Sequence, residues 1–507
     1  MKRFSRLYII GFLWTSLSLS AQENILTSRV LREPVQKVSE VNDANSVTTI
    51  EYYDTAGRLI QTIRKGFGPN GEDLADYIQF DEAGRIAKEY LSTPFTGNNG
   101  VFVPVSEFEQ STQTWSRTHL YEASTEGRIV ETSGMHVGGK SIKYDYRLSN
   151  SSEPELSALE FRMQNNTTIN KRMAARGAYQ VVEEIDEDGH RILLFTDSDG
   201  HTVLKRRVDG DVYHDTYMVY DAYDHLRCVL PPAAVDAYSS FDDQSLSAGN
   251  FLDLYAYFYI YDNDNQCVGV KYPGADWIYT VYDGDYRPIL SQDGNQRKRD
   301  EWSFIKYDGL GRVVIEGIVK DKRTRDDLAD IYEDVLVHEE YIGTEGPCRG
   351  YTDHIKMGQN RYILTCIRYY DNYAFTEFSS DWSFANMASS ASAKGLLTGV
   401  FEAVLNQPDK GRFTINQYDD KSRLIRRDSK ETLSNNTLSA DYSYNFSGAL
   451  IRSDSRYGNR YSLRLDYNYD HAGREKNSIC VLGYGTTHYT SPLRAFTYDS
   501  HGRISEK

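Results

Sequence analysis

Along much of this chain, apolar and polar residues alternate with a period of two. Ile142, Tyr144, Tyr146 and Leu148 fall on one side of an extended segment, and Ser141, Lys143, Asp145 and Arg147 on the other. Tyr461, Leu463, Leu465, Tyr467 and Tyr469 alternate in the same way with Arg460, Ser462, Arg464, Asp466 and Asn468. Successive side chains of a strand point to opposite faces, so the pattern predicts half-buried β-strands. Helical spacing is confined to short stretches. Leu328, Ile331, Tyr332 and Val335 predict an amphipathic helix over Arg325–Val337. A helical insert is expected after Pro231 and Pro232, and a short helix over Lys171–Arg176. The predicted class is all-β with a few short helical inserts.

A repeat punctuates the strands. An aromatic residue followed by Asp, with Arg four residues beyond the Asp, occurs seven times. The copies are Tyr53, Asp54 and Arg58; Phe80, Asp81 and Arg85; Tyr282, Asp283 and Arg287; Tyr307, Asp308 and Arg312; Tyr418, Asp419 and Arg423; Tyr469, Asp470 and Arg474; Tyr498, Asp499 and Arg503. In five of them Gly precedes the Arg: Gly57, Gly84, Gly311, Gly473 and Gly502. Weaker copies lie at Ile185–His190, Thr196–His201, Tyr220–His225, Tyr261–Gln266, Tyr370–Phe375 and Tyr444–Ala449. Neighbouring copies often stand 21–29 residues apart, which fits two strands and two turns. The Asp carboxylate accepts from the backbone two residues on, and Gly supplies the positive φ that closes a short hairpin loop. Arg opens the next strand, within reach of the Asp and of aromatic rings.

These residues resemble the YD repeat of bacterial RHS proteins, related to the shells of Tc-type toxin complexes and of teneurins. The resemblance runs from about residue 48 to the C-terminus. Tyr53 to Thr62, Phe80 to Leu91 and Tyr121 to Ser124 resemble the domain that precedes such repeats. Tyr220 to Pro232, Tyr272 to Gly274 and Gln292 to Gly294 resemble the repeats themselves. The resemblance implies repeated β-hairpins winding into an open or partial β-shell able to enclose another polypeptide. It also implies a link to toxin encapsulation or interbacterial competition. Two departures bear on function: no Asp-Pro dipeptide of a self-cleaving core occurs, and the sequence ends inside a repeat. The implied partner is therefore a separately encoded RHS core or effector polypeptide. A poorly ordered tail and an open sheet edge are expected near Phe496–Tyr498.

The first 21 residues read differently. Lys2, Arg3 and Arg6 precede an apolar run over Leu7–Leu19, and small residues Ser18, Ser20 and Ala21 follow in the order of a secretory signal peptide. The expected organisation is then a linker over 22–48 and an N-terminal RHS-associated domain over 49–150. A YD-repeat segment over 179–319, a charged insert with a helix over 320–360 and a second repeat segment over 361–507 follow. Export to the periplasm, cell surface or medium is expected, with no transmembrane segment in the mature chain.

Composition adds limits. Forty Tyr among 507 residues favours pleated surfaces. A net charge of −16, which becomes −19 without the leader, argues against a nucleic-acid partner. Cys228, Cys267, Cys348, Cys366 and Cys480 form no CxxC pair, and an odd count leaves at least one free thiol.

Motif matches fail on context. Gly134–Ser141 fits the P-loop spacing, but a P-loop requires a helix after Ser141, where the pattern predicts a strand. Gly66, Gly68 and Gly71 fit a dinucleotide fingerprint yet join two strands. Asp186–Gly189 and Asp197–Gly200 lack the ligand set of a calcium loop. His338 and Glu339 open a zinc-protease motif whose second His is missing. No catalytic, cofactor or metal site is expected. The leading reading is an exported, non-enzymatic RHS-type shell protein. The alternative is a module binding surface glycans through exposed aromatic rows, and a P-loop nucleotide-binding enzyme is the remote one.

Overall fold

The computed structural model describes residues 24–31, 35–43, 45–68, 70–111, 115–134, 140–164, 168–239, 245–247, 252–354, 356–357, 362–377, 382–383, 393–405, 407–458, 460–470, 472–498 and 503–506. The expected leader, residues 135–139 of the P-loop match, and Asp499 and Gly502 of the last repeat lie outside these residues. The fold is mostly β, with twenty-eight strands in a large, open antiparallel sheet and a few short helices. The chain divides into two compact units, residues 1–143 with 440–507, and residues 144–439.

In the first unit the strands Asn24–Leu31, Ser46–Tyr53, Leu59–Arg64, Asp73–Phe80, Ile86–Phe95, Ser116–Tyr121 and Ile129–Ser133 pair in chain order. Its C-terminal strands Leu450–Tyr457, Tyr461–Tyr469, Glu475–Tyr484 and Thr487–Ala495 do the same. Tyr52, Ile63, Ala75, Tyr90, Val103 and Phe108 form its core. The helix Val105–Gln110 lays Phe108 onto the sheet. Ahead of it, the Gln61 amide donates to the Val103 carbonyl and accepts from its N–H, both at 2.8 Å.

The second unit is a longer meander from Gln180–Ile185 to Leu424–Glu431, again pairing strands in chain order. One core gathers around Trp302, Phe304, Tyr369, Phe375, Phe401 and Phe413. Another gathers around Leu193, Phe195, Tyr217 and Phe258. Gly399 lets the Phe375 ring lie on the sheet, because a Cβ there would stand 2.4 Å from the ring. A small sheet of Leu159–Met163, Thr168–Met173 and Ser245–Ser247 brings Phe161 edge-on to Tyr217, with ring centroids 4.7 Å apart.

The short helix expected over Lys171–Arg176 is instead the strand Thr168–Met173. Cross-strand pairing wins over local propensity: Arg172 lies opposite Glu160 and holds its carboxylate at 2.7 Å. The insert after Pro231 is the helix Pro232–Ser239. The charged insert's helix begins with a Thr324–Asp327 capping box but ends at Tyr332 rather than Val337. Past Tyr332 the chain turns to the Asp283 hairpin. Gly284 N–H donates to the Val335 carbonyl at 3.0 Å, and Val337 N–H to Asp283 Oδ2 at 3.3 Å. At the C-terminal end Thr497–Tyr498 pairs with Ile504–Glu506, where a poorly ordered tail was expected.

The tyrosines explain how each hairpin holds the next. Beyond most repeat turns the ladder to the following strand begins late. The strand starting at Pro288 pairs onward only from Leu290. Tyr307 Oη donates to the Pro288 carbonyl at 2.7 Å, where backbone pairing has not yet begun. The same arrangement recurs with Tyr121 on Ile86, Tyr261 on Leu226, Tyr282 on Cys267, Tyr370 on Val313, Tyr469 on Leu450 and Tyr498 on Glu475. In each the onward ladder starts two residues later, at Lys88, Cys228, Gly269, Ile315, Arg452 and Asn477. Burial pushes the phenols of Tyr282, Tyr307, Tyr370 and Tyr469 above 10, so these hydroxyls remain donors well into alkali. Replacing Tyr307 by Phe leaves the Pro288 carbonyl without this donor. The expected loss is about 1–2 kcal/mol of local opening free energy at strand Pro288–Gln292, read by hydrogen exchange. Tyr286→Phe, at an exposed ring, should leave exchange there unchanged.

Candidate functional site: the repeated turn

The Asp-to-Arg turn has one geometry wherever the structure describes it in full. Asp54 N–H donates to the Arg58 carbonyl, and Gly57 N–H returns to the Asp54 carbonyl. Asp54 Oδ1 accepts from the N–H groups of Ala56 and Arg58, both at 2.9 Å, and Oδ2 takes the Arg58 side chain at 2.7–2.8 Å. Gly57 has φ +77°, the left-handed conformation that a glycine adopts without a Cβ penalty. The strand register shifts between Tyr52 and Tyr53, so the aromatic residue sits at the bulge.

Asp81, Asp283, Asp308, Asp419 and Asp470 make the same two backbone bonds, and each binds the side chain of its own Arg: Arg85, Arg287, Arg312, Arg423 and Arg474. Gly84, Gly311 and Gly473 hold φ near +80°. Where Gly is missing, Tyr286 and Ser422 take φ values of 59° and 61° in its place. Asp186, Asp197, Asp221, Asp262 and Asn445 build the same backbone turn. His190, His201 and His225 sit at the Arg position, each with a ring nitrogen on the turn Asp.

Most of these side chains also reach the following hairpin. Arg58 lies over Phe80 at 4.2 Å, Arg85 over Tyr121 at 4.1 Å, Arg287 over Tyr307 at 4.8 Å, Arg312 over Tyr370 at 4.4 Å and Arg474 over Tyr498 at 4.4 Å. His201 and His225 stack on Tyr220 and Tyr261, both at 4.4 Å. A turn Asp thus orients a cation, and the cation holds the next aromatic. Tyr53 stands apart from these stacks, with its hydroxyl on Glu51 at 3.0 Å. Tyr418 donates to the Leu397 carbonyl at 2.7 Å. Arg503 lies over Trp115 at 5.2 Å.

Two turns depart from the sequence reading. The weak copy at Tyr370 forms no such turn: Asp371 itself has φ +74° and takes the Arg312 guanidinium bidentately at 3.1 and 2.7 Å. Conversely, Glu122 and Arg128 build a turn with two extra residues, closed by Glu122 N–H on the Arg128 carbonyl. Its sequence signal is the Glu122–Gly127–Arg128 spacing, two residues longer than the repeat. Asp197, Asp199 and His201 place ligand atoms within 4.8 Å of one another. Asp197 already accepts the N–H groups of Asp199 and His201 there, which is its turn role. After the P-loop match, Ser141–Leu148 is a strand. The five cysteines are unpaired; burial pushes the Cys366 thiol up to about 11.

A model of a domain of unknown function, DUF6443, matches residues 27–147. No curated protein matches the chain. Among solved structures, TcdB2-TccC3 without its hypervariable C-terminal region aligns with a TM-score of 0.56 at 12% identity. That alignment covers 90% of this chain and 19% of the other, so this chain spans about a fifth of the protein it matches. TcdB2-TccC3-Cdc42 and the Photorhabdus luminescens Tc holotoxin pore align at TM-scores of 0.48 and 0.45, both at 12% identity, covering 95% of this chain and 22% of theirs. The chain therefore shares the fold of part of TcdB2-TccC3.

The turn carboxylates make stability depend on acid. The Arg58 and Arg85 backbone N–H groups, then their guanidinium groups, hold Asp54 and Asp81 below 3.8. The Arg128 side chain, joined by Ser124, holds Glu122 down at about 2. A carboxylate whose folded value is depressed stabilises the fold above its unfolded value and loses that contribution as pH falls through the folded one. Thermal stability should therefore hold from neutrality to about pH 4.5 and drop between there and about pH 2. Asp54→Asn should flatten that drop, measured by circular dichroism melts across pH.

Proposed function

We propose that this chain is a segment of an exported, non-enzymatic β-repeat shell of the RHS type. Its working surface is the sheet itself, and its partner is a separately encoded RHS core or effector polypeptide that the shell continues into or encloses. The carrying observation is the tiled turn, in which an Asp-oriented cation of one hairpin holds the aromatic residue of the next. Such tiling extends a sheet indefinitely in one direction, which suits a wall. The fold shared with TcdB2-TccC3 over 90% of this chain supports this reading. So does the use of the repeat Asp and Arg side chains within their own turns. No helix of the described residues is long and apolar enough to cross a membrane.

A second reading rests on one observation. Tyr457, Tyr461 and Tyr484 stand opposite one another across three strands and are 45%, 55% and 52% exposed. The rings of Tyr461 and Tyr484 lie 5.2 Å apart. An exposed aromatic row of this kind stacks on sugar faces, and a glycan array comparing the native chain with Tyr461→Ala/Tyr484→Ala addresses it. Signal lost in the variant supports the second reading; an array without signal for the native chain removes it.

The shell reading is tested in the cells that make the protein, by fractionation followed by in situ crosslinking and mass spectrometry. The chain should be recovered outside the cytoplasm, without residues 1–21 and crosslinked to a polypeptide carrying further repeats or an RHS core. Cytoplasmic recovery with the leader intact would overturn export. Recovery outside the cytoplasm with no such crosslinked polypeptide would overturn the shell role.

A further inference from the structure

Lys306 lies at the end of strand Glu301–Tyr307 and is 0% exposed. Its Nζ donates to Glu339 Oε1 at 2.7 Å and to Asp353 Oδ1 at 2.6 Å. Glu339 is also 0% exposed, and the Asp353 side chain is 15% exposed. Glu339 Oε2 accepts from Thr352 Oγ1 at 2.6 Å and from the His354 N–H at 2.9 Å, which fixes the carboxylate against the amine. The Tyr362 hydroxyl meets Cys348 Sγ at 3.1 Å, and its ring centroid lies 5.7 Å from Nζ. Phe304 packs edge-on against that ring at 5.1 Å.

One ammonium thus faces two carboxylates inside an aromatic core. Burying charge is costly, and a buried ion pair gains little over an apolar replacement of the same shape. A primary amine, an acceptor carboxyl and a second carboxylate on the same amine are the parts needed to condense amine and carboxyl into an amide. We propose that Lys306 Nζ and Asp353 Cγ form an intramolecular isopeptide bond, with Glu339 relaying the protons.

The step balances without any co-reactant. Lys306 Nζ passes a proton to Glu339 Oε1 and attacks Asp353 Cγ, forming the N–C bond. Glu339 returns the proton to the departing oxygen, which takes a second proton from Nζ and leaves as water when its C–O bond breaks. Ammonium and carboxylate become an amide and one water, Glu339 ends as it began, and two buried charges disappear. Exclusion of bulk water favours condensation over hydrolysis. The bond would tie the strand to the segment after the helix Arg325–Tyr332, in a chain whose five cysteines are all unpaired.

The test is peptide mapping of the folded full chain after proteolysis. The expected product is a branched peptide joining Lys306 to Asp353, lighter by one water than its two linear parts. Glu339→Gln should leave the two linear peptides unjoined. Asp353→Asn should release ammonia instead of water and give a branched peptide of the same mass as the native one. Recovery of the native chain's two linear peptides in full yield would overturn the proposal, whether or not the variants fold. A dehydrated Asp353 peptide without a branch would overturn it equally.

Discussion

The contact between consecutive hairpins is the constraint on which this structure depends. A meander of short strands gains little from any one turn, because isolated hairpins are marginal in water. Here most of the repeat turns do two jobs. The Asp carboxylate closes its own loop through two backbone N–H groups and then aims a guanidinium or imidazole at the next aromatic residue. Where that aromatic is Tyr, its hydroxyl also takes a backbone carbonyl that strand pairing has not yet reached. A cation over an exposed ring is worth about 0.5–1 kcal/mol, and a hydrogen bond about 1 kcal/mol. Neither term alone would hold a strand. Repetition along the chain makes them the frame.

This frame was partly legible in the sequence. Period two marked Ser141–Leu148 and Tyr461–Tyr469, and both are strands. The Asp–Gly–Arg spacing marked turns because its contacts span four residues. The tyrosine hydroxyl was not legible, since Tyr307 finds its carbonyl 19 residues away and Tyr370 finds its own 57 away. Tyr370 shows the limit of pattern matching: its Asp371 serves Arg312 of another turn rather than one of its own. Lys171–Arg176 read as helix because local propensity says nothing of Glu160 across the strand. The Lys306, Glu339 and Asp353 group was invisible for the same reason, lying 33 and 47 residues apart in sequence. In the sequence His338 and Glu339 show only the start of a metal motif.

The two units use this frame in different company. In the second unit Trp302, Phe304, Tyr369, Phe401 and Phe413 are almost fully buried, so a packed aromatic core backs the sheet. In the first unit the core around Ile63 and Phe108 is smaller. Its strand Thr487–Ala495 is exposed at every residue. What holds that end is the turn device, with Arg474 over Tyr498 and Tyr498 on the Glu475 carbonyl.

That difference bears on which substitutions each region tolerates. A core-backed strand resists loss of one cation–aromatic contact, because its side chains are also held by burial worth about 25 cal/mol per Å². A strand exposed on both faces has no such reserve, and its order rests on directional contacts made by a few residues. Burial tolerates exchange among apolar side chains of similar volume, whereas the turn device requires Asp at one position and a planar cation at another. A lysine in place of Arg474 would keep the charge but not the planar group that lies flat on Tyr498 while its Nε holds Asp470. The strict repeat chemistry of Tyr469, Asp470, Gly473 and Arg474 therefore matters most here, next to a strand exposed at every residue.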